Sequence, residues 1–107
     1  MSAYQEIEAE QLHQLLAVQK IQLVDVRNDD EVARGIIPGA QHITLANIPM
    51  KHEALLSEHV PLVFYCHSGI RSAHAASFLA SKGREQVYNL RGGVLAWGKA
   101  GYAFGSK

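Results

Sequence analysis

The chain alternates between two hydrophobic periods. Leu62-Val63-Phe64-Tyr65 is apolar throughout and of strand length, the pattern of a strand buried on both faces. A short polar turn follows, and then an alanine-rich helical pattern runs from Ser72 to Lys82 and stops at Gly83. Within it, Ala73, Ala76 and Ala80 form a small-residue stripe that lets a helix lie close to a sheet. Upstream, Tyr4 to Ile7 reads as a short first strand. Ala9, Leu12, Leu15 and Leu16 recur at helical spacing, so residues 8–19 predict an amphipathic helix, with Glu8 a poor N-cap. Ile21 to Val26 is a second strand, and Asn28 with Glu31 three residues on opens a short helix closed by Gly35. Pro38-Gly39 suits a type II turn, Gln41 to Ile43 a short strand, and Pro49 the opening of a helix near residues 50–57. Glu85 to Leu90 is a fifth strand; Gly92 and Gly93 then permit close backbone approach beside the cysteine loop, ahead of a short helix from Val94 to Lys99 with Trp97 as a core anchor. Strands alternating with helices predict an α/β domain around a mostly parallel sheet, with helices on both faces.

Composition narrows the setting. At 107 residues the chain is one domain, with an ordered core over about 4–100 and a loose tail over 101–107. Ten basic side chains balance ten acidic ones, so no basic surplus points to nucleic acid. Met1 to Glu6 carries no leader pattern and no stretch has the length to span a bilayer, so a cytoplasmic, monomeric protein without a membrane partner is expected. The single cysteine excludes an internal disulfide and a Cys-rich metal site and suits a reducing compartment. The six histidines show no compact metal spacing, and neither a metal nor a cofactor is expected.

That cysteine, Cys66, sits between the C-terminal end of the buried strand and a helix start, where parallel α/β sheets place ligand sites. A helix start presents unpaired N–H groups and positive dipole, and Arg71 adds a full charge five residues after the sulfur. Both favour thiolate, the nucleophilic form. Gly69 lets the loop curl, and the same amides suit the oxygens of a tetrahedral anion. His67 either assists in holding an anion or faces solvent. Asp25 and Arg27, at another strand end, read as a polar brace for the loop rather than as site residues.

On three stretches the chain resembles the rhodanese-like family of single-domain sulfurtransferases. They are Leu23-Val24-Asp25-Val26-Arg27 through Glu31 to Gly35-Ile36-Ile37-Pro38-Gly39-Ala40; Cys66-His67-Ser68-Gly69-Ile70-Arg71-Ser72; and Tyr88-Asn89-Leu90-Arg91-Gly92-Gly93 with Trp97. The resemblance implies a five-stranded sheet and a two-step reaction. Cys66 would take the outer sulfur of a donor such as thiosulfate as a persulfide, and a thiophilic acceptor (cyanide, a thiol or a protein) would collect it. It also implies that the amides of residues 67–71, thus His67, Ser68, Gly69 and Ile70, cradle the anion, that Arg71 assists by charge, and that Ser72 hydrogen-bonds the sulfur. His67 and Ile70 border the site and set donor choice. One departure is Ile36, where family members often carry His.

Two rival readings share the fold. Phosphatases and arsenate reductases typically place one more residue between cysteine and arginine, whereas here the spacing is Cys-x4-Arg, a smaller amide ring. Non-catalytic rhodanese-like modules lack the cysteine, which is present here.

Overall fold

The computed structural model describes residues 3–57 and 59–107; Met1 and Ser2, part of the stretch read for a leader, lie outside them. In chain order the elements are β1 (Gln5–Ile7), α1 (Ala9–Val18), β2 (Gln22–Asp25), α2 (Asp29–Val32), β3 (Gln41–His42), a 3-10 turn (Leu45–Asn47), α3 (Ile48–Leu56), β4 (Leu62–Tyr65), α4 (Ile70–Ser81), β5 (Val87–Leu90) and α5 (Gly93–Lys99). The sheet order is β1-β5-β4-β2-β3, and every pairing is parallel. Strand β4, which leads into Cys66, is therefore central.

Its apolar run follows from that position. Successive side chains point to opposite faces, and both faces are covered. Leu62 and Phe64 pack with Val24, Val26, Leu55, Ala76 and Leu79 in one layer, beneath α3 and α4. Val63 and Tyr65 pack with Leu12, Leu23, Leu90 and Trp97 in the other, beneath α1 and α5. All four β4 residues are fully buried. Burying a side chain of this size stabilises by about 1.5–3 kcal/mol, so this strand is the costliest to disturb.

Several local expectations shift. Glu8 caps α1 after all, since its amide donates to Gln11 Oε1 at 2.9 Å in a capping box. Helix α4 begins two residues before Ser72, and its buried face is Ser72, Ala75, Ala76, Leu79 and Ala80, with Ala73 only half-buried. The segment after Gly101 is docked, not loose. Ile36 and Gly105 exchange backbone hydrogen bonds at 3.0 and 2.8 Å, Trp97 Nε1 donates to the Ala103 carbonyl at 3.0 Å, and Tyr102 stacks on His13 at 4.0 Å. The Ile36 position is thus structural: it is buried and holds the C-terminal segment.

Asp25 and Arg27 form the brace. Arg27 Nη2 donates to Asp25 Oδ2 at 2.8 Å and to the Gly35 carbonyl at 2.7 Å, and its Nε reaches both carboxylate oxygens at 3.1 Å. The side chains are 6% and 0% exposed, so neither charge could remain there alone. Replacing Asp25 by Ala strands a buried guanidinium, with an expected loss of about 3–5 kcal/mol in urea-denaturation stability.

Candidate active site

Strand β4 ends at Tyr65, and the chain turns through Cys66, His67 and Ser68 to Gly69, which precedes α4 with φ of +102°. That left-handed geometry favours glycine, and a side chain there would press on the Gly92 amide and the Leu90 carbonyl. The turn wraps backbone around the sulfur. Gly69 donates its N–H to Cys66 Sγ at 3.1 Å, and the Ser72 hydroxyl lies 3.4 Å from the same atom. Cys66 is 1% exposed. Burial pushes its thiol up, but the Ser72 hydroxyl and the amides of Ser72, Gly69 and Ser68 outweigh it and hold the thiol below its ordinary value. The donors at the sulfur come from Ser68, Gly69 and Ser72, and Ser72, in the first turn of α4, supplies two of them although it lies outside the expected span of 67–71.

Helix α5 closes the loop from behind. Its first amides have no partner within the helix. Val94 N–H donates to the Cys66 carbonyl at 2.9 Å and Leu95 N–H to the His67 carbonyl at 3.2 Å. This approach requires Gly93, where a Cβ would collide with both carbonyls. Of the glycine pair expected beside the cysteine loop, Gly93 makes this approach, whereas a Cβ at Gly92 would meet Ala96 of its own helix.

A pocket of about 410 Å³ opens beside the cysteine loop, lined by Arg27, Glu31, Arg34, His67, Ser68, Arg71 and Val94 but not by Cys66 itself. His67, Ser68 and Ile70 are exposed, and Gly69 is buried. Ile70 is 69% exposed and stands outside the pocket lining.

Arg71 interacts with the sulfur by charge, and it is paired as well. Its Nη1 and Nη2 donate to Glu31 Oε1 and Oε2 at 2.7 and 2.8 Å, a bidentate pair linking α4 to α2. The Arg71 hydrogen bond holds the Glu31 carboxyl down at about 2, so the pair is intact throughout neutral pH. Glu31 and Cys66 both strengthen the Arg71 cation, Glu31 first.

The sequence marks Glu31 as a capping residue and, with Asn89, as part of a family signature, but gives neither a role at the site, and it does not single out Arg34. Glu31 and Arg34 stand three apart just beyond a strand end, a spacing that could have flagged both. Asn89 is buried, and donates from Nδ2 to the Gly69 carbonyl at 3.1 Å. Arg27, for which the sequence favours a brace over a site-lining role, does both. Among the described residues no group of three His, Cys, Asp or Glu could hold a metal ion, and no helix is long and apolar enough to cross a membrane.

A family model for the rhodanese-like domain matches residues 8–100. The chain belongs to the rhodanese-like domain family. It is 39% identical over 97 residues to a sulfurtransferase of Allochromatium vinosum, covering 90% of each chain. It is 34% identical to the thiosulfate sulfurtransferase GlpE of Shewanella oneidensis, covering 94% of this chain and 98% of that one. Among solved structures, a rhodanese-like domain protein from Staphylococcus aureus superposes with a TM-score of 0.84 at 33% identity, covering 96% of this chain and 98% of that one. A Rhodopseudomonas palustris protein described as a "Possible Tyrosine Phosphatase" superposes with a TM-score of 0.86 at 27% identity, covering 95% of this chain and 85% of that one. The five-stranded parallel architecture is that of rhodanese-like structural neighbours.

Gly93→Ala tests the closure of the loop. It should cost more than about 2 kcal/mol in denaturant stability, whereas exposed Gly101, with open space around its Cβ position, should tolerate Ala with a smaller loss.

Proposed function

We propose that this protein is a sulfurtransferase that carries a sulfane sulfur as a persulfide on Cys66. The observation that supports it best is a single thiol held by main-chain and hydroxyl donors that outweigh its burial, beside a pocket with three arginines and one glutamate. In the first half-reaction the Cys66 thiolate attacks the outer sulfur of thiosulfate. The S–S bond of the donor breaks, sulfite leaves with the electron pair, and a cysteine persulfide forms. In the second, a nucleophilic acceptor (cyanide in an assay, a thiol or a protein thiol in the cell) attacks the outer persulfide sulfur. The acceptor leaves with that sulfur, and the Cys66 thiolate is regenerated. No general base is needed where the thiol is already ionised.

The loop donors suit both intermediates, since thiolate and persulfide are anions that accept hydrogen bonds. Arg27, Arg34 and Arg71 outnumber Glu31 in the pocket, and the surplus positive charge suits an anionic donor. We read the protein as a monomer working in a reducing cytoplasm on a small-molecule donor, with neither nucleic acid nor membrane as partner.

The phosphatase-related neighbour prompts a second reading on the same cysteine. Against it, the Cys-x4-Arg loop is one residue shorter than phosphatases and arsenate reductases typically carry, which makes a smaller amide ring.

Incubation with thiosulfate should add one sulfur to Cys66 by mass spectrometry and release sulfite, and Cys66→Ser should do neither while keeping its fold. A wild-type protein that gains no sulfur but hydrolyses an aryl phosphate would overturn the reading. Arg71→Ala should raise the KM for thiosulfate several-fold, by roughly the weight of one charged hydrogen bond; unchanged kinetics would remove Arg71 from donor binding.

A further inference from the structure

Ser72 is fully buried and its hydroxyl carries one hydrogen, yet two acceptors stand within reach. One is Cys66 Sγ at 3.4 Å; the other is Asn89 Oδ1 at 2.5 Å. Asn89 itself is 2% exposed, and its amide can be oriented in only one way. Nδ2 faces the Gly69 carbonyl at 3.1 Å and the Glu6 carboxylate at 3.1 and 3.3 Å, both of which only accept. Oδ1 must therefore face Ser72. A chain of polar groups thus runs from exposed Glu6 on β1, through buried Asn89 on β5, to buried Ser72 on α4 and the sulfur.

We infer that Asn89 is a positioning residue that decides where the Ser72 hydrogen points. With a neutral thiol, the S–H donates to Ser72 Oγ and the Ser72 hydroxyl donates to Asn89 Oδ1. With a thiolate, the sulfur has no hydrogen to give, and the hydroxyl rotates to donate to Sγ. Asn89 Oδ1 then loses its partner. No covalent bond in Ser72 or Asn89 changes, and the thiol proton leaves to solvent. Asn89 competes with the anionic sulfur for one hydrogen, moderating the ionisation that the amides favour. The device keeps Ser72 hydrogen-bonded whether the sulfur is neutral or anionic.

This rests on the persulfide reading for its use in turnover, but its test needs only the thiol. The rate of alkylation by iodoacetamide against pH reports the ionisation of Cys66, the only cysteine in the chain. It would be measured for the wild type, Asn89→Leu, Ser72→Ala and the double variant. Arg27, Glu31, Arg34, His67 and Arg71 line the pocket, and Glu6 stands behind Asn89; all remain in each variant, so their charges act in both halves of the cycle. Removing the competitor should increase the thiolate fraction below the midpoint by roughly threefold more when Ser72 is present than when it is Ala. A Ser72-dependent part that is zero or of opposite sign overturns the proposal, as it leaves Asn89 a scaffold for Gly69 alone. Should Asn89→Leu fail to fold, the wild type still decides. Its S–H stretching band, recorded at a pH that keeps the thiol protonated, should lie at a hydrogen-bonded frequency and move to the free-thiol frequency in Ser72→Ala. A free-thiol band in the wild type would overturn the proposal. Sulfur uptake from thiosulfate, measured separately, tests the persulfide reading, so the two can fail independently.

Discussion

A sulfur shielded from water can stay ionised only if hydrogen-bond donors replace the water it has lost. Cys66 is 1% exposed, and burial alone would raise its thiol. Four elements answer that constraint. Central strand β4 brings the sulfur to the end of the sheet, Gly69 turns an amide back toward it, and the first turn of α4 supplies Ser72. Helix α5 then ties down the Cys66 and His67 carbonyls, so that the loop cannot relax outward and withdraw its donors. The small buried face of α4 serves the same end, because Ala75 and Ala76 seat the helix in the core layer against β4.

The two ion pairs around the loop have different characters. Asp25 and Arg27 are almost wholly buried, and their bonds fix the turn that reaches Gly35. Such a pair is costly to break and contributes little when compared with an apolar substitute, so its value is in holding one geometry. Arg71 and Glu31 are 34% and 22% exposed, within reach of solvent and of a ligand. A pair so placed is screened and modest in strength. An incoming anion could therefore draw on the Arg71 charge at limited cost, whereas Arg27 is held by Asp25 even though it lines the same pocket.

What the sequence made legible follows from the range of each interaction. The β4 run, the cysteine turn and the capping box of Asn28 with Glu31 are set by neighbours within a few residues, and all could be read from the chain. The Asp25 and Arg27 brace was also legible, because two opposite charges at one strand end need each other. The pairing of Glu31 with Arg71 was not, since 40 residues separate them. Asn89 looked like an ordinary strand polar residue until the parallel register set β5 between β1 and β4. The C-terminal segment looked unattached because its partners, Ile36 and Trp97, have no sequence pattern that announces them. The start of α4 was set two residues late because Ile70 and Arg71 were assigned to the polar turn.

The same fold can serve different anions, and ring size separates them. A phosphoryl centre must present several equatorial oxygens to donors at once, and a bidentate guanidinium is the natural partner for two of them. In this chain the four residues between Cys66 and Arg71 form a tight turn, and the guanidinium fork is already occupied by Glu31. A persulfide makes smaller demands: one additional sulfur bearing one charge, placed just beyond Sγ. The amides of Ser68, Gly69 and Ser72 converge on Sγ itself. On the persulfide reading, ring size is what separates the two anions, a distinction that the sheet and its helices could not supply.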